Sequence, residues 1–260
     1  MINMLYLRFL SMHLRAQMQY KGSFVMLLIS QFVMTLGAAA GVYFLYLQFG
    51  EIEDFAFPEI VLCFSVILMG FSIAECFFYG LDSFPALLRR AEFDRVLCRP
   101  RGALYQVLCS TVEFYRLASL LQGILMLAYA LPASGVDWTP QRLAVLAGMV
   151  LGGASIFAAL MLTYASICFF TTEGMEFFNI FTYGGREFGR YPFSIYGKWV
   201  LRFFTFIVPL ACVQYYPLCY ILGRAPSPAW ALTPLAALIF WLPAALLWRL
   251  GIRRYRSTGS

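Results

Sequence analysis

The chain has 260 residues, of which 62% are hydrophobic and only 12% charged, with a mean hydropathy of +0.75 and a net charge of +6. A soluble domain carries about 25% charged residues, so this composition excludes a soluble protein and indicates an integral membrane protein. Apolar runs of about 20 residues can cross the hydrocarbon core as helices, and the polar–apolar alternation of barrel strands is not seen.

The elements predicted from the sequence are all helical. Residues 1–22 predict an amphipathic helix in the membrane interface, because Leu7, Leu10, Leu14 and Met18 recur at helical spacing. The apolar run that follows has no obvious cleavage site, so we expect it to remain as a membrane anchor. One all-α transmembrane domain is predicted over residues 1–260, with six spans at about 24–49, 58–81, 104–131, 143–170, 199–222 and 230–250.

Two connections between these spans have distinctive patterns. The 82–101 loop alternates charged and apolar residues, which predicts a short amphipathic helix closed by Pro100. Near the fifth span, Tyr191-Pro192 is expected to be extended and Ser194 to cap the next helix. Prolines within the span predict that it is broken and partly re-entrant, and these are Pro209 and Pro217.

The basic residues predict the orientation of the chain. With both termini in the cytoplasm, the inner regions hold seventeen of the nineteen Lys and Arg residues, and the outer loops hold only Arg142 and Arg224. This asymmetry follows the positive-inside rule. The net positive charge is thus better explained by membrane orientation than by binding to nucleic acid.

Residues that could supply chemistry of their own are scarce. The sequence has no phosphate-binding G-x-x-x-x-G-K-[ST] loop, no H-E-x-x-H motif and one histidine, His13. The seven cysteines form no metal-binding spacing and fall mostly in apolar runs, where Cys acts as a small hydrophobe. We therefore expect no catalytic residue, no metal and no cofactor bound by this chain, and any energy for transport must come from a partner or an ion gradient.

Three charged residues within or beside the spans are candidates for a gating or structural role. Glu75 lies inside the second span, where an ionisable side chain is costly and is a functional candidate by default. It could pair with an arginine, take part in gating or substrate passage, or couple transport to protons. Glu113 and Arg116 are three residues apart and can pair on one helix face.

The 82–101 loop has two interpretations from composition alone. Its charged helix could dock into a soluble partner on the cytoplasmic side, or its arginines could lie in water and only set the topology.

Several segments resemble the ABC-2 family of bacterial export permeases, in the order expected for that family. The first is 89–100 (RRAEFDRVLCRP), and the second is 113–116 (EFYR). The third is 190–196 (RYPFSIY), followed by 205–209 (TFIVP) and 215–217 (YYP). Gly197 departs from the pattern, because a proline or another turn former is expected there.

The resemblance implies a permease subunit in the bacterial inner membrane, paired with an identical or homologous permease. Two ATP-binding cassette subunits would bind ATP and Mg²⁺, and membrane lipid would surround the spans. Residues 1–20 would form a connecting helix, and 209–223 the outer re-entrant part of the fifth segment. The coupling helix at 82–98 would meet the ATPase through Phe84, Leu87, Leu88, Arg89, Arg90, Glu92, Asp94 and Arg95. The family motif would comprise Arg190, Tyr191, Pro192, Ser194, Tyr196, Pro209 and Pro217.

Three other functions remain open from the residues alone. An ion-coupled transporter or channel centred on Glu75 is expected to have internal repeats or several buried charges. An enzyme acting on lipid is expected to have His, Asp or Cys residues clustered near the membrane interface. A membrane subunit that transports nothing, such as a sensor or assembly partner, is the third.

Overall fold

The computed structural model describes residues 2–50, 54–171 and 178–255, which are mostly helical and contain no strand. The first half comprises α1 (Ile2–Met18), α2 (Lys21–Phe49), α3 (Phe57–Asp82), α4 (Phe84–Arg89), α5 (Phe93–Leu97), α6 (Ala103–Leu108) and α7 (Leu117–Ala133). The second half comprises α8 (Pro140–Thr171), α9 (Gly185–Phe188), α10 (Lys198–Phe206), α11 (Leu210–Val213), α12 (Tyr215–Ile221) and α13 (Ala236–Arg254). Short 3-10 or π turns lie at Phe114–Arg116, Ile180–Gly184, Phe193–Tyr196 and Pro228–Leu235.

Five helical segments in the described residues are long and apolar enough to cross a membrane. The bent pair formed by α10 and α11–α12 makes a sixth if it is counted as one span. The predicted class, an all-α membrane protein with about six spans, is therefore confirmed at this level.

Helix α3 is the centre of the bundle. It begins with Pro58 in its first turn, and the Glu59 carboxylate accepts a hydrogen bond from the Ala56 amide at 3.1 Å. It packs against α7 and α8, and α8 also packs against α13. The α3 and α8 backbones approach closely at Gly70, where an added Cβ would lie 3.0 Å from the amide nitrogen of Ala154. Small residues allow such close approach between membrane helices.

Helix α2 lies at the edge of the bundle, packed mainly on α7. Only Thr35 and Val42 on it are buried, whereas Met34 is 74% exposed. A helix that is hydrophobic all round needs an apolar environment on every side. Lipid or another protein must therefore cover most of α2.

The prediction of one continuous third span over 104–131 was wrong. The chain forms α6, leaves the helix at 109–113, and resumes with the turn at Phe114–Arg116 that leads into α7. At the end of α6 the Ser110 hydroxyl donates to the carbonyl of Val107 at 2.7 Å. The β-branched residues Thr111 and Val112 that follow disfavour a continuous helix.

Helix α1 supplies hydrogen bonds to this break. The ring of His13 contacts the carbonyl of Cys109 at 2.9 Å. One turn further on, the Gln17 amide donates to the carbonyl of Val112 at 2.5 Å and accepts from the Phe114 amide at 3.2 Å. Backbone groups without a helical partner are costly in an apolar environment. The face of α1 that meets the protein thus satisfies the irregular backbone that precedes the candidate span at Phe114–Ala133.

An adjacent face of α1 is apolar and exposed. Leu7 is 61% exposed, and Leu14 and Met18, which were also placed on the predicted apolar face, are exposed as well. A turn at residues 19–20 separates α1 from α2, so the predicted helix at 1–22 ends at Met18.

The fifth segment is broken, as its prolines predicted. The axes of α10 and α11–α12 meet at 86°, and Pro209 lies at the bend. A second irregularity falls at Gln214, whereas Pro217 is the third residue of α12. Proline is tolerated there because a first-turn amide has no helical acceptor.

Ser194 does not cap the helix that follows it. Helix α10 begins at Lys198 after Gly197, and no side chain caps it. Ser194 lies in the 3-10 turn at Phe193–Tyr196. Gly197 has φ +86°, a left-handed conformation that glycine adopts without strain, so it provides the turn itself. Other predicted loop charges lie outside the described residues, namely Glu51, Glu53, Glu173, Glu176 and Arg256.

Gly80→Ala should lower the free energy of unfolding by about 1–3 kcal/mol through overpacking, because the new Cβ would lie 2.1 Å from the carbonyl oxygen of Val107. Gly148→Ala is the matched control, since its nearest neighbour would be Pro234 Cβ at 3.8 Å. Thermal unfolding of both variants in detergent measures the difference. Equal melting temperatures would contradict the close packing of α3 on residue 107.

Candidate functional site

The loop between the second and third spans forms a helical hairpin, here called the basic hairpin (residues 84–99). It consists of α4 and α5, joined at Ala91, which has φ +53°. The predicted single helix is therefore two short ones. Phe84 and Phe93 meet edge to face at 5.2 Å, and Phe84 also contacts the Trp248 ring at 5.3 Å. These aromatic contacts fix the hairpin to the end of the bundle.

The two faces of the basic hairpin differ in character. Phe84 and Leu88 are buried and Leu87 is half-buried, so these side chains hold the hairpin in place and do not form its outer surface. The exposed residues among those predicted to couple to an ATPase are Arg89, Arg90, Glu92 and Arg95. Asp94 is partly buried and accepts a hydrogen bond from the Tyr255 hydroxyl at 3.0 Å.

Glu75, Glu113 and Arg116 come together in one charge cluster. Arg116 Nη1 lies 2.9 Å from Glu75 Oε1, and Arg116 Nε lies 3.0 Å from Glu113 Oε2. The Tyr115 hydroxyl donates to the same Glu113 oxygen at 2.7 Å. The guanidinium also lies over the Tyr115 ring, 5.0 Å from its centroid. One arginine thus joins α3 to the residues that begin α7.

The burial of this cluster explains why its members must pair. Glu75 is 2% exposed, and an unpaired carboxylate at such a site would be strongly unfavourable. Arg116 supplies the counter-charge that this carboxylate needs. Nearby, the Tyr183 hydroxyl contacts Asp82 Oδ2 at 3.4 Å.

The 190–196 motif packs against α3 and the broken fifth segment. Arg190 forms an ion pair with Glu187, and its guanidinium lies over the Phe64 ring at 5.7 Å from the centroid. Phe193 of the motif is fully buried and stacks on Phe204 at 4.6 Å. Tyr191, Ser194 and Tyr196 are partly buried, and Pro192 is buried. The motif is therefore built into the bundle.

Gln214 is a residue that the sequence analysis did not single out. It is fully buried at the irregular step between α11 and α12. Its amide donates to the carbonyls of Gly189 and Tyr191, at 3.1 and 2.9 Å, and contacts the Cys63 sulfur of α3. An amide alone in an apolar run is the signal that could have identified it, because buried polar groups need partners.

The site residues lie in three places. The basic hairpin is at one end of the bundle, the charge cluster lies at the adjoining end of α3, and the 190–196 motif contacts α3 further along. Within residues 2–50, 54–171 and 178–255, no three His, Cys, Asp or Glu side chains form a group that could hold a metal ion. Helix α3 contacts all three regions.

Arg116→Met should destabilise the protein by about 3–5 kcal/mol, because it leaves Glu75 buried without its counter-charge. Adding Glu75→Gln should recover part of that loss by removing the orphaned charge. Thermal unfolding of wild type, both single variants and the double variant in detergent gives the interaction free energy between Glu75 and Arg116. Arg142→Met in the first turn of α8 is the control, and strictly additive effects would contradict the pairing.

The comparisons with known proteins agree with this architecture. The family model for ABC-2 family transporter proteins matches residues 32–259, which covers α3 to α13 and most of α2. No curated protein and no solved structure matches the chain at a significant level. The match spans most of the chain and includes the basic hairpin, the charge cluster and the 190–196 motif. This multi-pass membrane protein belongs to the ABC-2 family of transporter proteins and is a permease of an ABC transporter.

Proposed function

We propose that this permease is the membrane subunit of an ATP-driven exporter and that the basic hairpin docks onto a separate ATP-binding cassette subunit. Association with such a subunit is general in the family, and its permeases typically have no ATPase site of their own. The observation that carries the docking proposal is the division of the hairpin into a buried apolar face and an exposed basic face. Arg89, Arg90 and Arg95 lie on the exposed face.

The contacts of the hairpin support its use as a coupling element. Phe84 packs against Phe169 of α8 at 5.0 Å as well as against Trp248 of α13. A displacement of the hairpin would therefore move the ends of several spans together. Closure of the ATPase subunits around ATP and Mg²⁺ would apply that displacement. The two-state change would switch the path between inward-facing and outward-facing forms, provided that ATP binds one state more tightly.

The proposed assembly contains two permeases, identical or homologous, and two ATPase subunits. The exposed apolar faces of α2 are consistent with cover by lipid and by the second permease. The distribution of Lys and Arg supports cytoplasmic termini in a bacterial inner membrane. In that orientation α1 would lie along the inner membrane surface as a connecting helix, with Leu7 and Leu14 toward lipid. The bend at Pro209 would belong to an outer re-entrant element.

The alternative centred on Glu75 has less support. An ion-coupled carrier needs a carboxylate that can exchange its ion during the cycle. Glu75 is instead held by Arg116 at 2.9 Å. We therefore assign this pair to gating or to the integrity of the bundle.

Replacing Arg89, Arg90 and Arg95 together by Glu should reduce coupled transport by at least about tenfold. Reversed charge at a docking surface removes several favourable contacts and adds repulsion. The measurement is ATP-dependent transport in vesicles, with ATPase activity and co-purification of the ATPase subunit recorded in parallel.

The control for this triple variant is Arg142→Glu, which reverses an arginine in the first turn of α8, at the start of the fourth span. Both proteins should unfold at temperatures close to that of wild type, because all four side chains are outside the core. Wild-type transport by a triple variant that still assembles would remove the hairpin as the docking element.

A further inference from the structure

A cavity of about 290 Å³ lies between α2 and α3, and three arginines line it. These are Arg116, Arg186 and Arg190. Phe64 and Leu68 of α3 form its apolar wall, and Gln31 and Thr35 of α2 add polar groups. Met34, which is 74% exposed, stands at its edge and marks an opening to the outside of the bundle.

The three arginines come from other elements and contact one face of α3. Arg190 lies over Phe64 and Arg186 over Phe71, with guanidinium-to-ring distances of 5.7 and 4.9 Å. Arg116 reaches Glu75, one turn further on. Positions 64, 71 and 75 lie near one face of a helix, and the rise from 64 to 75 is about 16 Å. Guanidinium groups are therefore distributed over about half the thickness of a hydrocarbon core.

The charge along this face is unevenly compensated. Arg116 contacts two carboxylates, whereas Arg186 and Arg190 both contact the single carboxylate of Glu187. Glu187 is 42% exposed and does not line the cavity. Arg190 Nε is buried and has no hydrogen-bond acceptor among the described residues. The Arg186–Arg190 end of the cavity thus has two guanidinium groups in direct contact with one carboxylate, and a buried donor that lacks an acceptor.

We propose that this cavity binds the phosphate head group of a membrane amphiphile, with Arg186 and Arg190 as its ligands. Guanidinium groups bind phosphate oxygens through paired, charge-assisted hydrogen bonds, and a phosphate has enough oxygens to bridge two arginines. The cavity has room for a head group beside the apolar wall, while acyl chains would pass the edge at Met34 into lipid. The inference rests on the proposed export function and names the class of its cargo.

The test is binding of phosphatidylglycerol to the full-length chain in a neutral detergent, measured by native mass spectrometry, with diacylglycerol, a lipid without a phosphate, as the comparison. We expect phosphatidylglycerol to bind more tightly. Arg186→Gln with Arg190→Gln should weaken that binding by about tenfold or more, since it removes the charge-assisted contacts. Arg142→Gln, which removes an arginine outside the cavity, should leave binding unchanged.

A variant that is expected to strengthen phosphatidylglycerol binding separates loss of the site from misfolding, because misfolding would only weaken binding. Glu187→Gln removes the carboxylate that Arg186 and Arg190 share, so it should strengthen phosphatidylglycerol binding several-fold if these arginines bind an anion. If the ion pairs served structure alone, the same change would lower stability without any gain in affinity.

Three results would overturn the inference. They are equal binding of both lipids, wild-type affinity in the double arginine variant, and no gain in Glu187→Gln. Equally tight binding of water-soluble glycerol 1-phosphate would contradict the amphiphile and point to a soluble phosphate ester. No ATP or ATPase subunit enters these measurements, so their failure leaves the export proposal standing. Conversely, if no ATPase subunit bound the hairpin, a positive lipid-binding result would still stand.

Discussion

Backbone polar groups at the breaks in and beside the spanning helices must find partners inside the protein, and this constraint shapes much of the bundle. Lipid offers no hydrogen bonds, so a span can leave its helix only where other residues supply them. At 109–113 these partners come from His13 and Gln17 of α1. At the fifth segment Gln214 binds the carbonyls of residues 189 and 191. Each break thereby joins elements that are distant in sequence.

Charged side chains inside the bundle also need partners, and the arginines differ in how many carboxylates they contact. Arg116 is neutralised by carboxylates from two elements, and this network holds α3 to the start of α7. Arg186 and Arg190 share one carboxylate and face a cavity, so they retain the capacity to attract an anion. The arginines of the basic hairpin lie on its exposed face, available to a partner. The degree of compensation thus separates structural arginines from candidates for binding.

The sequence predicted the features that depend on local pattern. Hydropathy indicated the membrane class and the apolar segments, and Pro209 indicated the broken fifth segment. Features that depend on tertiary contact were missed. The break after α6 is stabilised by side chains about 95 residues away, and no local pattern reports such a partner. Phe84 was predicted to lie on a docking face, but its contacts with α8 and α13 bury it.

The most direct test of the central claim is site-specific photocrosslinking from the basic hairpin in native membranes. Leu97 of α5, 44% exposed, is replaced by a photoreactive residue, and Asp137 in the loop after α7 serves as the comparison position. The account predicts that an ATP-binding cassette subunit is captured in stoichiometric amounts from position 97 and not from position 137. Recovery of the permease without any ATP-binding subunit from position 97, under conditions where the chain is intact, would contradict it.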